Sequence, residues 1–218
     1  MPLQTATVIG ATGLVGGHLV NLLQQEEQFD VIRVLVRRPV SFPSSKIESK
    51  LVNFSDPESF KLAVDGSDAV FVAIGTTQKK VRGDQDAYRK VDYEIPVNAA
   101  RFCAETGCEK FLLVSSVGAN SRSKNFYLEL KGEVEEDVQQ IPIRRICIFR
   151  PSLLLGHRKE NRLGERISQN ILPAFSFLLN GKLKKYRPVH ARELAATMIR
   201  ASKSDEKGTF VYEYPFSI

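Results

Sequence analysis

Thr5-Ala6-Thr7-Val8-Ile9-Gly10-Ala11-Thr12-Gly13-Leu14-Val15-Gly16 is the stretch of this chain that decides its fold. Residues 5–9 form an apolar run rich in β-branched side chains, which predicts a buried strand. From Leu14 to Leu23 apolar residues recur at helical spacing. The three glycines between strand and helix allow a tight turn, close approach of the backbone to a pyrophosphate and close helix–strand packing. A plain β–α turn is the alternative, but this context favours a dinucleotide site.

The rest of the chain alternates strands with helices. Strands are predicted at 31–36, 50–54, 68–74, 110–115, 144–149 and 209–214. Helices are predicted from Pro57 with Asp56 as cap, over 87–106 with a break before Pro96, and over 125–139, 164–179 and 191–202. This alternation predicts an α/β fold with a doubly wound, mostly parallel sheet that has helices on both faces. The ligand crevice of such a sheet lies at the carboxyl ends of its strands.

Length and composition fit one domain over residues 1–218, because 218 residues are too few for two full-sized domains. The net charge of +6 suits a surface that attracts anionic nucleotides, and we expect neither a nucleic-acid nor a membrane partner. The three cysteines lie in apolar segments, and the first strand begins too early for a signal peptide. Both observations favour a cytoplasmic location.

The end of the second predicted strand bears on the choice of dinucleotide. NAD sites usually have an acid there for the ribose 2′-hydroxyl, whereas an arginine accommodates the 2′-phosphate of NADP. Arg37 and Arg38 follow this strand, and no acid does. The sequence therefore predicts NADP(H) as the preferred cofactor, with NAD(H) as the alternative. A pair of surface arginines without a ligand is the other interpretation.

Tyr127 and Lys131 stand four residues apart on a predicted helix and share one face. A free tyrosine has a pKa near 10, and a neighbouring ammonium favours the phenolate that proton transfer needs. Ser116 follows the fifth predicted strand and can hold a substrate oxygen by a hydrogen bond. These three residues predict hydride transfer beside a nicotinamide ring. Chance occurrence on an ordinary helix is the alternative for the tyrosine–lysine pair.

Five segments together resemble the short-chain dehydrogenase/reductases of the extended or atypical kind. The chain is most similar to the small Tat-interacting-protein-like oxidoreductase branch of that family, which has an NAD(P)-binding Rossmann sheet. The resemblance implies a small C-terminal substrate lobe, which we place at about 152–190. It rests on residues 10–16, 115–119, 126–133, 149–152 and 158–162.

The resemblance also implies a role for each matching residue. Ser116 matches the catalytic hydroxyl, with Ser115 as the alternate, Tyr127 the proton donor or acceptor, and Lys131 the ligand of the nicotinamide ribose. Together with Arg37 and Arg38, predicted above from the end of the second strand, the cofactor contacts are Gly10, Ala11, Thr12, Gly13, Leu14, Val15, Gly16, Phe54, Ser55, Ala73, Ile74, Gly75, Ser115, Tyr127, Lys131, Pro151 and Ser152. Asp92 departs from the pattern, because extended members often carry asparagine there. His18, His157 and His190 lack a plausible metal-ligand partner, so we expect no metal site.

We therefore expect an NADP(H)-dependent oxidoreductase that acts on a carbonyl or carbinol of an unknown small molecule. An epimerase or dehydratase variant shares the same opening oxidation. The alternative function is a redox-sensing regulator that binds NADP(H) and acts through a protein partner. Family members are often dimers, so a homodimer is the expected assembly.

Overall fold

The structure, a computed structural model, describes residues 3–76, 84–156 and 181–216. Within these residues, seven parallel strands form one sheet in the order β3-β2-β1-β4-β5-β6-β9. A short parallel pair, β7 and β8, lies apart from it. The strands are β1 (Thr5–Ile9), β2 (Val31–Val36), β3 (Ile47–Leu51), β4 (Ala69–Val72), β5 (Lys110–Val114), β6 (Arg145–Arg150), β7 (Leu154–Leu155), β8 (Val189–His190) and β9 (Gly208–Glu213).

Helices cover both faces of the sheet, which confirms the predicted doubly wound α/β fold. The helical elements are α1 (Leu14–Leu23), α2 (Pro57–Val64), α3 (Gln85–Arg89), a π turn (Lys90–Glu94), α4 (Ile95–Thr106), α5 (Phe126–Gln139), a 3₁₀ helix (Gly181–Tyr186) and α6 (Ala191–Ser202). Alternate strand residues point to opposite faces, so the core divides into two apolar layers. One layer packs against α1 and α6, and the other packs against α2, α4 and α5.

The strand order reverses between β1 and β4. These two strands pair with each other, and on its other side β1 pairs with β2 whereas β4 pairs with β5, all in parallel. Ligands of open α/β sheets bind outside the carboxyl ends of the strands at such a point. The chain leaving β1 enters the glycine turn, and the chains leaving β4, β5 and β6 run beside it. The fold therefore brings the predicted site segments to one edge.

The third strand differs from its prediction: it runs over Ile47–Leu51 rather than 50–54. It is an edge strand with one neighbour, so polar residues are tolerated along it. The apolar residues that suggested a later strand pack into the core beyond its end. Val52 is buried, and the ring of Phe54 meets that of Phe60 edge-on with centroids 4.8 Å apart.

The long helix predicted over 87–106 starts two residues earlier, at Gln85, behind the cap Asp84. The predicted break before Pro96 takes the form of the π turn. Proline has no N–H to donate to the carbonyl four residues back, so the regular α-helical bond to residue 92 is lost. The wider turn carries Asp92, whose side chain is buried.

Some sequence predictions fall on residues 157–180, outside the described part of the chain. These are the helix at 164–179, the segment at 158–162, His157 and most of the proposed lobe at 152–190. The single-domain organisation stays a prediction. All three cysteines are free and buried, as expected from their apolar segments. In the described ranges, no helix combines the length and apolar character needed to cross a lipid bilayer.

Candidate cofactor and catalytic site

The turn after β1 has a shape that only glycine permits at two of its positions. Gly10 has a φ of +92°, and a Cβ added there would lie 2.6 Å from the carbonyl oxygen of Ala73. A Cβ on Gly16 would lie 2.1 Å from the carbonyl oxygen of Gly10. Helix α1 therefore packs directly on the end of β1. The Gly13 N–H donates to the Gly10 carbonyl over 2.8 Å and closes the turn.

The N-terminus of α1 opens toward the crevice. Its N-cap, Gly13, has no side chain that could bond the first amides of the helix, and Thr12 and Gly13 are both exposed. Unpaired amides at a helix N-terminus, together with the helix dipole, attract phosphate. The glycine cradle and these amides fit the pyrophosphate of a dinucleotide. Leu14 and Val15 begin the helix and anchor it on the core side.

Residues predicted at the adenine end follow β2 and β3. Arg37 and Arg38 come directly after β2, and both are exposed at its carboxyl end. Phe54 is half-buried, and Ser55 is exposed beside it. Asp56 Oδ1 accepts the Glu58 N–H over 3.2 Å, so this acid caps α2, as predicted.

The segment leaving β4 runs alongside the glycine turn. The Ala73 N–H donates to the Ile9 carbonyl over 2.9 Å, which continues the pairing of β4 with β1. Ala73 and Ile74 are half-buried, and Gly75 is exposed. These residues therefore form the wall of the crevice opposite α1.

Lys131 lies at the centre of the predicted reacting end. It is buried on α5, with its Nζ 5.9 Å from the centroid of the Tyr127 ring, so the two residues share a helix face as the spacing predicts. Tyr127, the second residue of α5, has 37% of its surface exposed. Asn125 caps this helix by accepting the amides of Tyr127 and Leu128. The buried ammonium of Lys131 thus lies beside the exposed phenol of Tyr127.

The Lys131 ammonium has a buried partner that sequence reasoning did not identify. Its Nζ lies 3.0 Å from Asp92 Oδ1. Burial by itself lowers the pKa of Lys131, but the charges of Asp92 and Tyr127 and the bond to Asp92 outweigh it, and the pKa of Lys131 lies above its usual range. The lysine therefore carries a positive charge at neutral pH.

The two candidate serines have different surroundings. Ser115 is buried, and its hydroxyl donates to the Glu135 carboxylate. Glu135 is itself buried and accepts from the Arg150 guanidinium, with Nη2 2.5 Å from Oε2. Ser116 is half-buried, and its Oγ has only a long 3.4 Å contact to the Val117 carbonyl. Ser115 is thus engaged in a buried network, whereas the Ser116 hydroxyl is weakly held.

The loops that leave β5 and β6 are joined to each other. The Val117 N–H donates to the Pro151 carbonyl over 2.9 Å. Ser152 Oγ donates to the Arg187 carbonyl, which ties this loop to the chain that follows the 3₁₀ helix. Pro151 and Ser152 therefore belong to the same edge of the sheet as the two serines.

Glu135 was not singled out from the sequence, and Asp92 was noted there only as a departure from the family pattern, without a partner. Glu135 lies one helical turn beyond Lys131, so an acid on the inward face of α5 was a readable signal. Asp92 lies just before Pro96, where the sequence predicted a break in the helix. Its partner, Lys131, lies on α5, so the pattern around Asp92 did not indicate the ion pair. Within the described ranges, no three side chains of His, Cys, Asp or Glu form a group that could hold a metal ion.

Comparison with known proteins identifies the class. Residues 10–143 match the family described as NAD(P)H-binding. Protein HTATIP2 of Rattus norvegicus is 31% identical over 165 residues, covering 74% of this chain and 67% of that protein. The chain therefore belongs to the NAD(P)H-binding family, and its likeness to HTATIP2 fits the Tat-interacting-protein-like branch.

Fungal relatives match at similar levels. Protein FMP52, mitochondrial, of Candida albicans is 37% identical over 169 residues, covering 75% of this chain and 73% of that protein. Protein FMP52-1, mitochondrial, of Scheffersomyces stipitis is 34% identical over 213 residues, covering 94% and 91%. The solved structure of MoeE5 with UDP-glucuronic acid and NAD superposes with a TM-score of 0.75 at 14% identity, covering 95% of this chain and 75% of that one. This last likeness shows the fold alone.

The expectation of a cytoplasmic location is wrong, because the fungal relatives are mitochondrial proteins by name. Cysteines that stay reduced distinguish a reducing compartment from an oxidising one. Three free buried thiols do not distinguish one reducing compartment from another.

Proposed function

We propose that this protein is an NADP(H)-dependent oxidoreductase that moves hydride to or from a carbonyl or carbinol carbon of a small molecule. The observation that carries the proposal is the Lys131 ammonium, buried against Asp92 and lying 5.9 Å from the Tyr127 ring centroid. A protein that only bound the dinucleotide would need the glycine cradle but not this charged pair. NAD(P)H, when bound, supplies the hydride.

Side chains of the protein carry out the proton transfer and orient the substrate. In the reductive direction, the Tyr127 O–H donates its proton to the substrate oxygen as the carbonyl carbon gains hydride, and the phenolate formed is stabilised by the Lys131 ammonium. In the oxidative direction the same phenolate accepts the proton of the alcohol. Ser116 donates a hydrogen bond to the substrate oxygen and orients it.

Preference for the phosphorylated cofactor is assigned to Arg37 and, second, to Arg38. Both guanidinium groups are exposed where β2 ends, the position from which a side chain reaches the adenosine ribose in this fold. Asp56 does not compete for that ribose, because its carboxylate caps α2. A guanidinium pairs with a phosphate through short, charge-assisted hydrogen bonds.

Tyr127→Phe tests the proposal. We expect turnover of NADPH with a panel of small aldehydes and ketones to fall by about 10²- to 10⁴-fold, because the proton donor is lost. NADPH affinity, measured by the fluorescence of the bound cofactor, should stay within about threefold. Tyr93→Phe is the matched control, since it removes a hydroxyl that is bound to Asp137.

Two results would contradict the proposal. If the wild-type protein binds NADPH but turns over no member of the panel, the sensor function is favoured. If Tyr127→Phe and Tyr93→Phe lose turnover equally, Tyr127 is not the proton donor.

A further inference from the structure

Asp92 joins two walls of the crevice through one carboxylate. Its Oδ1 lies 3.0 Å from Lys131 Nζ on α5, and its Oδ2 accepts the Thr76 N–H over 2.7 Å, just beyond β4. The exposed fractions of the Lys131 and Asp92 side chains are 6% and 1%. Both oxygens of this acid are therefore occupied by groups that border the cofactor site.

Burial makes the charge of Lys131 depend on its contact with Asp92. An ammonium removed from water without a partner loses its proton readily, because its charged form is no longer solvated. Lys131 is removed from water almost completely, so its charge depends on the anion beside it. The main-chain bond to Thr76 fixes the position of that anion, and with it the position of the ammonium.

Within residues 3–76, 84–156 and 181–216, few other charged groups lie near Lys131. Tyr127 and Glu135 lie on the same helix as Lys131 and act on it more weakly than Asp92 does. Glu135 is paired with Arg150 of β6. From the elements packed on α5, Arg89 pairs with Glu133, and the Tyr93 hydroxyl binds Asp137. Asp92 is the acid that ion-pairs with Lys131 in the described part of the chain.

We propose that Asp92 is a positioning residue of this site, which keeps Lys131 charged and holds its ammonium at the nicotinamide end of the crevice. The catalytic part of this inference rests on the proposed function, in which Lys131 acts on Tyr127 and on the cofactor ribose. The π turn before Pro96 is the structural device that brings the acid inward. A carboxylate that served packing alone would not couple the lysine charge to cofactor binding.

Asp92→Asn isolates the charge of this acid. The amide oxygen still accepts the Thr76 N–H, but the amide NH₂ cannot pair with an ammonium. Glu94→Gln is the matched control, since it removes one negative charge from an exposed side chain of the same π turn. Circular dichroism of each variant checks that the fold is retained.

The first measurement is the titration of Lys131, followed by the NMR signal of its ε-carbon in protein with isotope-labelled lysine. The signal is assigned by its absence in Lys131→Arg. In wild-type protein we expect a midpoint above that of ordinary lysine, and in Asp92→Asn a midpoint lower by at least about one pH unit. Glu94→Gln should match wild type. A wild-type midpoint below that of ordinary lysine overturns the inference even if Asp92→Asn does not fold.

The second measurement is the dissociation constant of NADPH as a function of pH. If the charged Lys131 binds the cofactor, affinity should weaken about tenfold as the ammonium loses its proton, at a pH that falls in Asp92→Asn together with the NMR midpoint. A midpoint that shifts while NADPH affinity stays independent of pH refutes the proposed role of Lys131 but leaves the Asp92–Lys131 coupling intact. An unshifted midpoint in Asp92→Asn refutes the coupling itself, whatever the turnover.

Discussion

The half of the sheet that starts at β1 and the half that starts at β4 border the same crevice, but they are built differently. The first half presents backbone: the turn at Gly10, Gly13 and Gly16 and the open end of α1. The second half presents side chains held by buried ion pairs, Lys131 with Asp92 and Arg150 with Glu135. Backbone amides at a helix N-terminus can hold the pyrophosphate, whereas proton transfer requires charged side chains held in fixed positions.

This difference predicts two kinds of mutational sensitivity. In the glycine turn, a single added carbon displaces the backbone, so cofactor binding is the property that should fail. Around α5, removing one member of a buried pair leaves the other charge without a partner, so stability and turnover should fail first.

Gly16→Ala should give the largest effect on binding. The added Cβ would stand 2.1 Å from the Gly10 carbonyl oxygen and 2.6 Å from its carbon, so the turn or α1 must move. We expect NADPH and NADH affinity to fall together by about 100-fold or more, as measured by fluorescence titration.

Gly17→Ala is the matched control for this change. Its Cβ would meet the Ala11 carbonyl oxygen at 3.7 Å, an ordinary contact, and alanine favours a helix over glycine by about 0.5–1 kcal/mol. Cofactor affinity should stay at the wild-type level, and the melting temperature should rise slightly. Equal loss of affinity in both variants would show that any bulk on α1 is harmful, and that the close approach at Gly16 has no special role.

Glu135→Gln should mainly reduce stability. Glu135 is buried and accepts hydrogen bonds from both the Arg150 guanidinium and the Ser115 hydroxyl. The substitution removes the buried negative charge of this network and leaves Arg150 the longer, 3.6 Å contact with Glu213. We expect the free energy of unfolding, measured with urea, to fall by about 3 kcal/mol, at the low end for a buried pair because Arg150 is partly exposed. NADPH affinity of the folded protein should change little.

Glu136→Gln is the control for this second change. Glu136 is the neighbouring residue on α5, and its exposed carboxylate is bound by the Ser121 hydroxyl. Exposed contacts of this kind contribute little, so we expect a loss of about 0.5 kcal/mol or less. If both variants lost the same stability, the buried network around Ser115 would have no special weight.

The two halves also differ in how well the sequence predicts them. The glycine turn, α1 and the Asp56 cap depend on residues that are neighbours in the chain, so local pattern suffices. The shared face of Tyr127 and Lys131 was predictable for the same reason, because residues four apart on a helix meet. Their catalytic and cofactor roles stay predictions.

What the sequence did not reveal depends on contacts between distant elements. Asp92 contacts Lys131 because the π turn buries its side chain and α5 packs beside that turn. The different surroundings of Ser115 and Ser116 likewise depend on Glu135, which accepts the hydrogen bond of the buried Ser115 hydroxyl. The edge strand β3 was misplaced because its three central residues are polar, so it contains no apolar run. Pattern within one segment carries no information about such partners.

Arg37→Ala tests the assignment of cofactor preference and should have a moderate effect. An exposed guanidinium bound to a phosphate contributes about 1.5 kcal/mol, so NADPH affinity should fall about tenfold while NADH affinity stays unchanged. Arg38→Ala, measured in parallel, should show a smaller loss. Arg101→Ala, an exposed arginine on α4, serves as the control for net charge. Equal losses for NADPH and NADH would remove the 2′-phosphate from the explanation.

Asp56→Ala should give the smallest change and separates two interpretations of the acid nearest the adenine end. If Asp56 only caps α2, the variant should lose about 1 kcal/mol of stability while NADPH and NADH affinities stay constant. Asp56→Asn should restore the stability, because an amide oxygen also accepts the Glu58 N–H. If Asp56 instead held the adenosine ribose, Asp56→Ala would weaken NADH more than NADPH, since only NADH keeps a free 2′-hydroxyl. In that case an acidic side chain would bind the cofactor in the half of the sheet that starts at β1, in addition to the glycine turn.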